Sequence, residues 1–174
     1  MATYKIDVDH SDIMFKVKHL MISTISGNFK KFDGHIDVTE ADLSDAVVTF
    51  EADADSIDTK NEQRDGHLKS DDFFNAEKFP KLTFKSTGIK SKGGDAYILS
   101  GDFTIRDVTK SIELQVTYNG STIDPWGMER MGFEITGKIN RKEFGLKWSS
   151  LTEAGGIVVA EDVKLEMNVE VIKQ

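Results

Sequence analysis

Side chains able to do chemistry are few and scattered in this sequence. The four histidines, His10, His19, His35 and His67, stand far apart. Brought together in space with a carboxylate they would hold a metal ion or activate a serine hydroxyl, but no H-E-x-x-H spacing puts two of them on one face. There are no cysteines, which removes thiolate metal sites, disulfides and cysteine nucleophiles. A G-x-S-x-G elbow, a glycine-rich phosphate loop and a dinucleotide fingerprint are also absent. No catalytic residue, metal or cofactor is therefore assigned, and recognition chemistry is what remains. His19 keeps the parity of Phe15 and Val17, so it faces the same way, either to bond a ligand's polar head or to be satisfied by backbone. Arg64 would hold an anionic group at a cavity mouth or form an ion pair with a strand-end carboxylate. His67, in the same segment, has the same two readings. Arg64 and Asp65 are helix neighbours, so they are expected to reach different partners. Arg141 continues the parity of Ile135 and Ile139; it is either a charged lining residue or, as the pattern favours, a turn residue before Phe144.

The elements that must position these residues are mostly strands. Ile13, Phe15, Val17 and His19 alternate with Met14, Lys16 and Lys18, giving one apolar and one charged face. The same period recurs in Val48-Thr49-Phe50-Glu51-Ala52, in Leu82-Thr83-Phe84, from Ile112 to Tyr118, from Phe133 to Ile139 and from Val163 to Val171. Turn signals stand at Asp33-Gly34, Gly93-Gly94-Asp95, Asn119-Gly120, Pro125-Trp126-Gly127 and Gly155-Gly156. With the segments 27–38 and 97–105 this makes about eight antiparallel strands, the number that closes an up-and-down barrel; a sandwich is the alternative. Only residues 56–84 break the pattern. Thr59 and Glu62 form a capping box for a helix, Ser70 caps a second short turn, and Phe79-Pro80 returns the chain to strand. The apolar residues of this insert, Leu68, Phe73, Phe74 and Phe79, are too few for a core of their own. They are expected to cover something the strands leave open.

Composition sets the class. A chain of 174 residues is read as one domain spanning 1–174. Its net charge of −8 argues against a nucleic-acid partner. No stretch reaches membrane-spanning length. The N-terminus shows no signal peptide, so the expected location is cytoplasmic, or periplasmic if a leader was removed. On parity, large rings (Phe15, Phe50, Phe84, Phe103 and Phe133) share the interior with small residues (Ala52, Gly101 and Gly137). That mixture is compatible with an elongated apolar cavity or with an ordinary filled core.

Phe15-Lys16-Val17-Lys18-His19-Leu20, Gly27-Asn28-Phe29, Phe32-Asp33-Gly34, Arg64-Asp65-Gly66-His67-Leu68-Lys69-Ser70, Phe73-Phe74, Phe79-Pro80, Phe84-Lys85-Ser86, Leu99 to Ile105 with Val108-Thr109-Lys110, and Asn140 to Leu146 follow one another in a familiar order. In these motifs the chain resembles the YceI-like proteins over nearly its whole length. The resemblance implies an all-β, eight-stranded antiparallel lipocalin-like barrel that binds a long isoprenoid or related lipid chain inside, without catalysis. Many members carry a secretion leader, and none is visible here. The expected ligand-binding set is then Phe15, Val17, Phe50, Phe84, Phe103 and Phe133 in the interior, Leu68, Phe73 and Phe74 as a cover, and His19, Arg64 and His67 at the polar end. The other functions in view are an enzyme acting on a lipid in the same cavity and a structural barrel that meets a protein partner. Oligomeric state is open, a homodimer included.

Overall fold

β-branched and aromatic residues alternating with charged ones favour a pleated surface with one wet side, and this pattern runs along most of the chain. The computed structural model describes residues 1–149 and 158–174. It contains the strand segments β1 (Ala2–Ile6), β2 (Asp12–His19), β3 (Ser23–Phe29), β4 (Phe32–Val38), β5 (Val47–Asp53), β6 (Ile57–Asp58), β7 (Lys81–Gly93), β8 (Ala96–Ile105), β9 (Val108–Ile123), β10 (Glu129–Asn140) and β11 (Val159–Lys173). All belong to one antiparallel sheet.

Three pairs of segments are single strands broken by a kink. β1 and β2 lie end to end along β11, with Ile6 opposite Val171 and Asp12 opposite Asn168, interrupted by the 3-10 turn Val8–His10. β3 and β4 run against β2 and β1 in the same way, and β6 and β5 against β3 and β4. Counted so, eight strands follow one another up and down, and the sheet closes where β11 bonds β10 on one edge and β1 and β2 on the other. The chain therefore forms the expected eight-stranded barrel, with one α-helix, α1 (Glu62–Lys69), inserted between β6 and β7. No helix among the described residues is long and apolar enough to cross a membrane.

Several local expectations are corrected. The cap of α1 is Asn61, whose side chain accepts from the Arg64 N–H at 2.9 Å, so the Thr59–Glu62 capping box does not form. Thr59 is drawn into the wall instead: a Cβ on Gly27 would fall 2.8 Å from its methyl carbon, and the side chain is 5 % exposed. Ser70 ends α1 rather than starting a second helix, its hydroxyl donating to the His67 carbonyl at 2.6 Å. Asp33-Gly34 is not a turn but lies inside β4, where Gly34 faces Phe50. Asn119-Gly120 is a bulge inside β9: Gly132 faces Gly120 while Phe133 faces Tyr118, so Asn119 is the extra residue, and Gly120 takes φ +107°. Gly93-Gly94 and Pro125-Trp126-Gly127 do turn hairpins, the second held by Asp124, which accepts from the Trp126 and Met128 N–H groups at 2.9 Å. Gly155-Gly156 lies outside the described residues.

The two barrel ends are closed differently. At one, residues 39–46 turn inward and bury Leu43 and Ala46; the Tyr97 hydroxyl ties this loop down by donating to the Asp42 carbonyl at 3.1 Å. At the other, the insert buries Phe73 and Ala76, and residues after β10 bury Phe144 and Leu146.

Candidate functional site

Between these two closures lies a cavity of about 230 Å³ that extends from Phe73 at the insert to Leu43 and Ala46 at the opposite loop. Its wall is made almost entirely of carbon atoms, because the inward parity of every long strand is apolar: Ile13, Phe15 and Val17 on β2, Leu114 and Val116 on β9, and Val163 to Val171 on β11. Of the residues expected to touch a ligand, Phe15, Val17, Phe50, Phe84, Phe103 and Phe133 line this space, and Leu68, Phe73 and Phe74 close it from the insert. Phe79 is not among them; its ring stacks outside with Arg106 and Lys78.

Gly101 and Gly137 do not leave the room expected of them. A Cβ on Gly101 would fall 2.4 Å from the Phe84 ring, and one on Gly137 would fall 2.5 Å from a Leu114 methyl. Their neighbours already lie over them, as Phe15 lies over Gly27. These glycines let large side chains lie flat against the wall, and so shape the cavity indirectly. Ala52, 2 % exposed, lines the cavity with its own small side chain.

The three polar residues expected at the head of a ligand have other partners. Arg64 donates from Nε to the Thr59 hydroxyl at 2.8 Å and from Nη2 to the Thr59 carbonyl at 2.7 Å. Asp65 accepts from the Thr59 N–H at 2.9 Å and from its hydroxyl. Arg64 and Asp65 thus converge on one residue, because Thr59 sits just before the helix, within reach of both. His67 pairs with Asp72 at 2.8 Å and lies edge-on to Phe73 and Trp148, behind the lid rather than under it. His19 ends β2, half-buried, and does not reach the cavity.

Arg141 is the charge that the wall does contain. It opens the 3-10 turn Arg141–Phe144 and borders the cavity while only 3 % exposed, so it is at once a turn residue and a lining residue. Burial pushes its pKa down, with the Glu161 charge acting the other way. Sequence parity pointed to this side chain; the carbonyls that surround it come from residues distant in pattern and carry no signal.

The histidines do not assemble with one another. His10 pairs with Asp7, His35 lies 3.6 Å from Asp37, and His67 bonds Asp72. Asp7, His10 and Glu170 bring possible metal ligands within 4.8 Å of one another, but Arg130 donates from Nη1 to both Asp7 and Glu170 at 2.7 Å. An arginine already supplies the positive charge there. What the site offers chemically is a dry, enclosed, elongated surface with one buried cation at its lidded end.

The model of the YceI-like domain matches residues 4–171 of the chain. The UPF0312 protein SERP2314 of Staphylococcus epidermidis is 38% identical over 171 residues, covering 98% of this chain and 97% of that protein. The UPF0312 protein plu2095 of Photorhabdus laumondii is 42% identical over 148 residues, covering 84% and 77%. Among solved structures, the YCEI protein of Campylobacter jejuni superposes with a TM-score of 0.77 at 31% identity over 90% of each chain. BcnA of Burkholderia cenocepacia, at 22% identity and TM-score 0.83, covers 95% of this chain and 98% of that one. A polyisoprenoid binding domain from Saccharophagus degradans, at 14% identity and TM-score 0.73, covers 98% of each. The last two show likeness of fold.

Proposed function

The chain belongs to the YceI-like domain family, and from that premise we propose that its barrel binds a long apolar lipid, an isoprenoid, quinone or fatty-acid-like chain, for storage or transport. The observation that carries this reading is the continuous carbon-lined cavity running from the lid at Phe73 to the loop at Leu43. A structural neighbour described as a polyisoprenoid binding domain agrees with it. Each methylene moved from water into such a wall contributes about 0.8 kcal/mol. Ten buried carbons therefore outweigh the several kcal/mol that association costs. The reading is one of binding without catalysis: His19, His67 and Arg64 lie away from the cavity, and the one polar group with full burial at its wall, Arg141, is committed to backbone carbonyls.

Native mass spectrometry and solvent extraction of the purified protein test this. The expected result is an apolar chain bound in a fixed ratio, re-bound after stripping and recovered chemically unchanged. Protein that carries no lipid and takes none up would overturn the reading, and chemical turnover of the lipid would convert it to an enzyme.

A further inference from the structure

Arg141 has hydrogen bonds but no counter-charge. Its Nε donates to the Ala160 carbonyl at 2.8 Å, Nη1 to the Leu146 and Trp148 carbonyls at 2.7 Å each, and Nη2 to the Val159 carbonyl at 3.2 Å. A guanidinium has five N–H groups. One on Nη2 therefore has no acceptor among the described residues. Glu161, whose charge reaches Arg141, is itself paired with Lys142 at 3.1 Å. Backbone carbonyls solvate a buried cation but do not neutralise it, and an uncompensated charge in a carbon-lined space is costly. The cation also has a defined place: its guanidinium carbon lies 5.9 Å from the centre of the Phe73 ring, at the lidded end of the cavity.

We propose that Arg141 is the head-group anchor of the cavity, and that the lipid it takes carries an oxyanion, a carboxylate or a phosphate, whose oxygen accepts the remaining N–H beneath Phe73. The inference rests on the lipid-binding reading above and adds to it the polarity and direction of the ligand. The head lies under the lid and the tail runs towards Leu43 and Ala46. Arg64 and His67 stand outside this arrangement.

Affinities of hexadecanoic acid and hexadecanol, and of geranylgeranyl phosphate and geranylgeraniol, are compared on delipidated wild type and on Arg141→Met. Wild type is expected to bind the charged member of at least one pair tenfold or more tighter than its alcohol, and the preferred pair tells a carboxylate from a phosphate head. Arg141→Met is expected to bring that ratio close to one by weakening the anion alone. Equal affinity for acid and alcohol in wild type overturns the anchor and leaves lipid binding standing; failure to bind any of the four overturns both. Should Arg141→Met not fold, wild type alone decides with hexadecanoic acid labelled with ¹³C at the carboxyl. Beside the guanidinium the bound carboxyl stays ionised to a lower pH than the free acid, whereas burial in an apolar wall alone would raise its titration and sink the proposal.

Discussion

Thr59 combines two kinds of contact that sequence reasoning assigns to separate residues. Its methyl fills the space beside Gly27 and the Phe15 ring, while its hydroxyl donates to Asp65 and accepts from Arg64. Thr59→Val keeps the packing and removes the bonds. It should cost about 1–3 kcal/mol, since Asp65 and Arg64 each lose a partner in a half-buried place. Urea unfolding measures it, and an unchanged midpoint would mean that those two residues pair directly. Arg130 ties Asp7, Asp124 and Glu170 together at 2.7–2.8 Å. Burial works to raise the Asp7 pKa, but hydrogen bonds from Arg130 and His10 outweigh it and hold it low. The Arg130 hydrogen bond is the main cause that lowers Asp124. Groups with depressed folded pKa values add stability above their unfolded pKa, about 3.9 for Asp, and lose it as pH falls through the folded value. The stability gap between wild type and Arg130→Met should therefore be widest near neutral pH and narrow as pH falls below about 4. A gap that stays constant in urea midpoints from pH 7 to pH 3 would show that the carboxylates do not titrate against Arg130. At this scale the sequence shows which residues face inward, Phe15, Val17 and Arg141 among them. It does not show which polar group reaches the cavity, because that depends on backbone atoms of Leu146, Trp148, Val159 and Ala160 brought round by the fold.

The insert acts as a cover because its own residues hold it in place. α1 is short and polar, and no helical apolar stripe announces it. What fixes it is the Asn61 cap, the Thr59 bonds and the packing of Phe73 against His67 and Trp148, with ring centres 5.1 and 5.5 Å away. Phe73→Ala, at a position 6 % exposed, should cost up to about 3–5 kcal/mol by leaving a hole at the lid. It should also release bound lipid faster than wild type. Stopped-flow release of a fluorescent fatty acid tests this, and unchanged release from a folded variant would place the exit elsewhere. Elements of period two, such as β10 and β11, were legible because burial on one face imposes strict alternation. The misread turns share a cause. Asp-Gly and Asn-Gly favour turns locally, but at Gly34 the missing side chain lets β4 pass close to Phe50, and at Gly120 the positive φ serves a bulge.

For the whole molecule, capacity becomes the question. A volume of about 230 Å³ holds roughly eight groups of water size, taking about 30 Å³ for each. A chain of sixteen carbons or more must therefore displace side chains, and the large rings along the wall are the movable part. Ala52→Phe fills the narrow middle. It should abolish binding of a sixteen-carbon chain while an eight-carbon chain still binds, with a packing cost of about 1–3 kcal/mol. Calorimetry with the two chains decides, and equal retention of both would show that lipid bypasses this part of the wall.

Closure of the barrel has a further consequence, for how it is made. The seam joins Tyr4 to Lys173 and Ile6 to Val171, so its partners are separated by almost the whole chain. Hairpins such as β7–β8 and β9–β10 need only local loops, but this seam must wait until every other strand has been laid down. Until then β1 and the end of β11 present unpaired backbone, which is a template for another copy of the chain. Refolding yield should fall with protein concentration much more steeply than the stability of the finished barrel would imply, and the losses should arise before the two terminal strands meet.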